Sequence, residues 1–166
     1  TRRRARKQDI VILLRSVKDE APLLEKALTQ HGVAVYSDTP EAFFSRPEVL
    51  LLMSLLECID NPLQDVALAA VLRSSDELAQ IRLGLEGQPF YDAVRAAADS
   101  LPAAALFLEQ LGRWRELAKR EPVEKLLYTV LEETGLMAVV ASMPMGELRC
   151  ENVRHLLSYA AEYEST

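Results

Sequence analysis

The sequence predicts a mainly α-helical protein that opens with a small parallel βαβ element, a partial α/β domain followed by a helical domain. Three observations predict it. An unbroken aliphatic run occupies residues 10–14, a second apolar run closes at Tyr36 after a stretch of helical spacing, and from there the periodicity is helical almost throughout.

Ile10-Val11-Ile12-Leu13-Leu14 reads as a strand buried on both faces, as in a parallel sheet. Pro22 then opens a helix with Leu23, Leu24, Ala27 and Leu28 inward, and Gly32 closes it. Val33-Ala34-Val35-Tyr36 is the second strand. A strand, a helix and a strand in so short a span pair most readily in parallel. Two strands do not make a stable sheet by themselves, so the expectation is a fragment whose neighbouring strands lie outside it.

Ser45-Arg46-Pro47-Glu48 combines a capping-box Ser and Glu with Pro at the first helical position. The helix it starts runs to about Ile59 and stops at Asp60-Asn61-Pro62. Helices are expected at Asp65 to Arg73, Asp76 to Leu85 and Phe90 to Ala98. Phe107, Leu111, Trp114 and Ala118 form one face of a long helix ending before Pro122. Val123 to Glu133 follows, closed by Thr134-Gly135, and Glu147 to about Tyr163 is the last, with Val153, Leu156, Leu157 and Ala160 inward.

Composition narrows the function classes. Of 166 residues, 49% are hydrophobic and 27% charged, which suits a globular protein and is too apolar for disorder. The most apolar stretch, Val49 to Leu56, is far short of a membrane span. Cys58 and Cys150 lack the number and spacing of a disulfide framework or a zinc site, so a soluble protein of a reducing cytosol is expected. Arg2, Arg3, Arg4, Arg6 and Lys7 crowd the start; without them 14 basic residues face 25 acidic ones, a net charge of −11. That basic stretch reads as a solvated connector, and the acidic remainder is a poor general binder of nucleic acid.

The sequence holds no G-x-x-x-x-G-K-[ST], G-x-G-x-x-G or G-x-S-x-G. His31 and His155 stand apart and read as helix-end or surface residues. Cys58 reads as a small buried hydrophobe, and Trp114 and Phe43-Phe44 as core residues before base-stacking ones. Arg15 differs. It follows the first predicted strand directly, at the carboxyl end where α/β folds place ligand sites, although it also reads as a surface arginine leaving a strand.

Asp9-Ile10-Val11-Ile12-Leu13-Leu14-Arg15-Ser16 resembles the motif that opens the second RecA-like motor domain of superfamily-one helicases of the UvrD/Rep/PcrA type. It is most similar to the AddA (RexA) subunit of the bacterial AddAB helicase–nuclease. The likeness continues through Val33-Ala34-Val35-Tyr36-Ser37-Asp38, Phe43-Phe44, Glu48-Val49, Leu55-Leu56, Ile59-Asp60-Asn61-Pro62, Gln64-Asp65 and Leu68 to Ser74. Gly146-Glu147-Leu148-Arg149 with Asn152, Leu156, Ala160 and Tyr163-Glu164 resembles a second segment of the same family. Three departures matter. The family's phosphate-binding loop, metal-binding acidic motif, later motor motifs and terminal nuclease domain are missing from this sequence. Leu14 stands where UvrD-type members carry an adenine-stacking Tyr, and Ser75 runs straight into Asp76 where the family has a longer loop.

The resemblance implies a basic connector at 1–8, the start of the second motor domain at 9–62, and an incomplete helical accessory domain at 63–166. It implies a piece of an ATP-dependent DNA helicase and exonuclease acting in double-strand-break repair and recombination in the bacterial cytoplasm. The parent would use ATP and Mg²⁺, act on DNA and pair with an AddB-like second subunit. Arg15 becomes the arginine that reaches the γ-phosphate, catalytic and cofactor-binding only beside a first motor domain, and no residue is a metal ligand. By itself this stretch is expected to bind no cofactor and catalyse nothing. The competing reading is a standalone helical protein-interaction module with a small α/β cap.

Overall fold

The computed structural model describes residues 4–35, 43–82 and 88–164. The chain divides into two compact units, residues 1–46 and 47–166.

Unit one contains a short 3-10 turn at Lys7–Asp9 and helix α1 (Val17–Gln30). The turn is tied by the Arg6 amide, which donates to Asp9 Oδ2 at 2.7 Å. α1 starts five residues before the predicted opening, so Pro22 lies inside it. Having no amide proton, Pro22 cannot bond the Lys18 carbonyl, a loss that is cheapest near a helix start. The far end matches expectation. Gly32 takes φ +71°, its amide reaches the Thr29 carbonyl at 2.9 Å, and the Val33 amide reaches the Leu28 carbonyl at 2.9 Å. This paired closure is a Schellman cap.

The predicted parallel βαβ element is corrected: among the described residues there is no strand, and every regular element is helical. Ile10 to Leu14 is extended, but Ile10, Val11, Ile12 and Leu13 are between 52% and 90% exposed, not buried on both faces. Hydrogen bonding gives part of the reason. The Ile10 amide closes the preceding turn on the Lys7 carbonyl, and the Val33 amide is taken by the helix cap, so neither run offers its first donor to a ladder. Tyr36, Ser37 and Asp38 fall outside the described residues.

Unit two is built from α2 (Pro47–Asp60), α3 (Asp65–Leu72), α4 (Phe90–Ala97), α5 (Pro102–Ala118), α6 (Val123–Thr134), α7 (Leu136–Ser142) and α8 (Gly146–Glu164). Most of these match the predicted helices within a residue or two. Of the helix expected over Asp76 to Leu85, residues 83–85 lie outside the described residues, and the described part, 76–82, holds only a 3-10 turn at Leu78–Gln80. One core joins α2 to α6, with Cys58, Leu68, Val94, Leu111, Trp114 and Val130 all nearly inaccessible. Each large apolar side chain fully buried there is worth about 1.5–3 kcal/mol.

Charged groups fix the ends of these helices. Arg115 of α5 donates to the Ile59 and Asp60 carbonyls at 3.0 and 3.1 Å, answering unpaired acceptors at the negative end of α2. Asp65, first residue of α3, accepts the Phe90 amide at 2.9 Å, so a carboxylate of α3 caps the start of α4 while placing negative charge in the first turn of its own helix. Pro89, the residue before α4, has no side-chain group to do so.

At the start of α2 stands the one buried acidic side chain among the described residues. Glu48 is 2% exposed at its side chain and accepts from Arg149 Nη1 and Asn152 Nδ2, both at 2.5 Å. The spacing of Glu48, Leu52, Leu55 and Ile59 puts the carboxylate on the same buried stripe as the apolar residues. Arg149 is itself oriented by a second bond, from Nε to the Pro144 carbonyl at 3.0 Å. The corner between α7 and α8 sets this register. Met145 takes φ +60°, and a Cβ on Gly146 would lie 2.1 Å from the Ala141 carbonyl oxygen.

Two stability changes follow. Gly146→Ala forces backbone apart and costs about 1–3 kcal/mol, read by chemical denaturation. Asp65→Ala removes the cap on α4 and costs about 1 kcal/mol in the same measurement. A neutral result at either position contradicts the corresponding contact.

Candidate functional site

Arg15 lies in a bend between the extended run and α1, exposed to solvent. The backbone leaves Ser16 as N-cap with φ −122° and ψ 96°, and the Ser16 hydroxyl donates to Asp19 Oδ2 at 2.8 Å. Asp19 and Glu20 in the first turn place negative charge at the positive end of the helix dipole. An anion docking on those amides would meet like charge. A phosphate in this neighbourhood is better served by the guanidinium, which forms no hydrogen bond or ion pair with another described residue.

The described residues do not amount to a nucleotide or metal site. No glycine-rich loop cradles a phosphate, and no three His, Cys, Asp or Glu side chains among them could hold a metal ion. Arg15 offers one cation able to give two parallel hydrogen bonds to an anion's oxygens, and among the described residues no cluster fits Mg²⁺.

The other sequence candidates occupy structural places. Burial, aided by neighbouring Glu57, pushes the Cys58 thiol up to about 11, leaving it protonated and unreactive at neutral pH. Trp114 is 2% exposed, and its Nε1 donates to Glu133 Oε2 at 3.0 Å, the same oxygen that Arg113 holds at 2.9 Å. It presents no face to a base. Phe43 is buried as expected, but Phe44 is 41% exposed and not a core residue; the two rings meet edge-on at 5.1 Å, with the Arg46 guanidinium 5.4 Å from the Phe43 ring centre. His31 caps α1, its Nδ1 lying 2.8 Å from the Ala27 carbonyl, and His155 stacks on Tyr159 at 4.7 Å. Both are the helix-end and surface histidines expected. Among the described residues no helix is long and apolar enough to cross a membrane.

Sequence reasoning missed the Glu48, Arg149 and Asn152 cluster. The signal was present: an acid spaced on the apolar stripe of α2 needs a buried partner. Its partners lie 101 and 104 residues away, and no local pattern identifies them.

Residues 2–79 match the family model of the UvrD-like helicase C-terminal domain. The A subunit of the ATP-dependent helicase/nuclease of Acetivibrio thermocellus is 38% identical over 175 residues, covering 99% of this chain and 14% of that protein. Its counterpart in Heliobacterium modesticaldum is 38% identical over 180 residues, covering 96% and 13%, and that of Listeria monocytogenes serotype 4b is 35% identical over 170 residues, covering 96% and 14%. The chain thus spans about one-seventh of the length of these curated relatives. With the likeness running through both the Glu48 and the Arg149 segments, the chain belongs to the UvrD-like helicases, in the branch of the ATP-dependent helicase/nuclease A subunits.

Proposed function

We propose that these residues work as a segment of the helicase- and exonuclease-bearing polypeptide of an ATP-dependent complex for bacterial double-strand-break repair on DNA, alongside an AddB-like second subunit. The observation that carries this reading is alignment with helicase/nuclease A subunits over 96–99% of the chain at 35–38% identity. Within it, Arg15 is the residue assigned to the γ-phosphate of ATP. Exposure, absence of a competing described partner and a permanent charge suit it to that contact. ATP and Mg²⁺ would be held mainly by parts of the protein beyond these residues.

The chemistry asked of Arg15 is electrostatic. As the bond to the γ-phosphoryl group loosens, negative charge spreads over its oxygens, and a guanidinium already aimed there stabilises it without reorganising. Such a residue also senses whether the γ-phosphate is present, which links nucleotide state to movement. Unit two contributes packed helices, and its acidic character makes broad phosphate binding by that surface unfavourable.

In the full-length protein, Arg15→Ala should lower DNA-stimulated ATP hydrolysis by roughly 10³-fold or more, as for arginine fingers generally, with the melting temperature unchanged. Arg15→Lys should restore only part of the rate, because a point charge replaces a planar fork. ATP turnover equal to the natural protein in Arg15→Ala removes the assignment.

A further inference from the structure

Residues 134–146, from the end of α6 through α7 to the first residue of α8, hold no charged side chain. Yet much of this stretch faces solvent: Val139 is 49% exposed, Met143 41% and Met145 65%. Ser142, the polar residue of α7, donates to the Val139 carbonyl at 2.7 Å and so turns back on its own helix. The corner backbone is held firmly. The Met143 amide reaches the Val140 carbonyl at 3.2 Å, the Arg149 amide the Met145 carbonyl at 3.1 Å, and Arg149 Nε the Pro144 carbonyl at 3.0 Å. Met145 is the one non-glycine residue with positive φ among the described residues, at +60°. Glycine would sit there without strain, so the methionine side chain costs stability and, being mostly exposed, offsets little of it by burial. Strain of this kind gathers at functional sites.

We propose that this methionine-edged corner is a docking surface for the second subunit, which lays there an apolar helix face flanked by lysine or arginine. This rests on the two-subunit reading made above. Charge decides between occupants. Glu132 and Glu147 bound the uncharged stretch, are exposed, and make no ion pair with a described residue. Residues 121–166 hold eight acidic residues against three basic ones. Nucleic acid and anionic lipid are repelled by such a surface, and a second copy of the same corner would set carboxylate against carboxylate. A basic-edged partner meets attraction at the rim and apolar contact at the centre. Methionine suits that contact, because its unbranched thioether adapts to the shape laid against it.

The test uses the full-length protein with and without its natural second subunit, and reads association and methionine oxidation by hydrogen peroxide separately. Peroxide passes one oxygen to an accessible thioether, giving the sulfoxide and water. Met143 and Met145 should oxidise readily in the free protein and about ten-fold or more slowly in the complex. Protection already present in the free protein, or none in the complex, overturns the proposal. Met143→Gln/Met145→Asn keeps the corner, because asparagine tolerates positive φ, and should weaken association about ten-fold or more at an unchanged melting temperature. Glu132→Lys, which sets a cation favourably at the end of α6, should also weaken association, and by less as salt rises. Natural affinity in both folded variants overturns the corner; should either fail to fold, the oxidation comparison decides. Natural subunits that do not associate at all bring down the two-subunit reading as well, whereas variants that associate normally sink the corner alone.

Discussion

A single carboxylate, that of Glu48, sets the terms for the helical unit. Taking an ionised group out of water costs several kcal/mol after relaxation, and the cost is offset only where charge and hydrogen bonds meet it in good geometry. Arg149 and Asn152 supply both, one to each oxygen. The consequence is topological: α8 must start where its opening turns can reach the first turn of α2. The tight corner at Met145 and Gly146, with no room for a Cβ, is what puts it there. Gly146, Arg149 and Asn152, neighbours in one segment of the sequence, act as one device on a carboxylate about a hundred residues earlier.

The same economy recurs across the unit. Arg115 answers the carbonyls of Ile59 and Asp60 at the end of α2, and Asp65 answers the Phe90 amide that begins α4. Apolar burial supplies the drive to collapse, but it is non-directional and permits many arrangements of similar volume. Charged groups at helix ends select among them. Surface pairs such as Lys119 with Glu116 and Arg154 with Glu151 are of a different kind, exposed on both sides and worth little.

Much of this is legible in the sequence. Pro47, Pro102, Gly135 and the gaps in periodicity mark helix boundaries within a residue or two, because proline and glycine act through local backbone geometry. α7 escapes a sequence reading because Leu136 to Ser142 has no polar face to give a period and shares Gly135 with the helix before it. The opening run misleads for a related reason. An unbroken aliphatic stretch states that a segment suits burial, not that a paired strand exists, and pairing depends on donors that caps at Ile10 and Val33 have already taken. Arg15 can be located by its place at the end of that run, but its role comes from family resemblance. The Glu48 cluster is a tertiary fact, readable in sequence only as an acid that sits on the wrong face.

The most direct measurement is a double-mutant cycle on Glu48→Leu and Arg149→Met, followed by urea unfolding. If the carboxylate governs the unit, Arg149→Met alone should be strongly destabilising, by about 3–5 kcal/mol, since it leaves a buried charge unpaired. Adding Glu48→Leu should then recover most of that loss. Additivity of the two changes within about 0.5 kcal/mol contradicts the account, because it means the two side chains do not depend on one another.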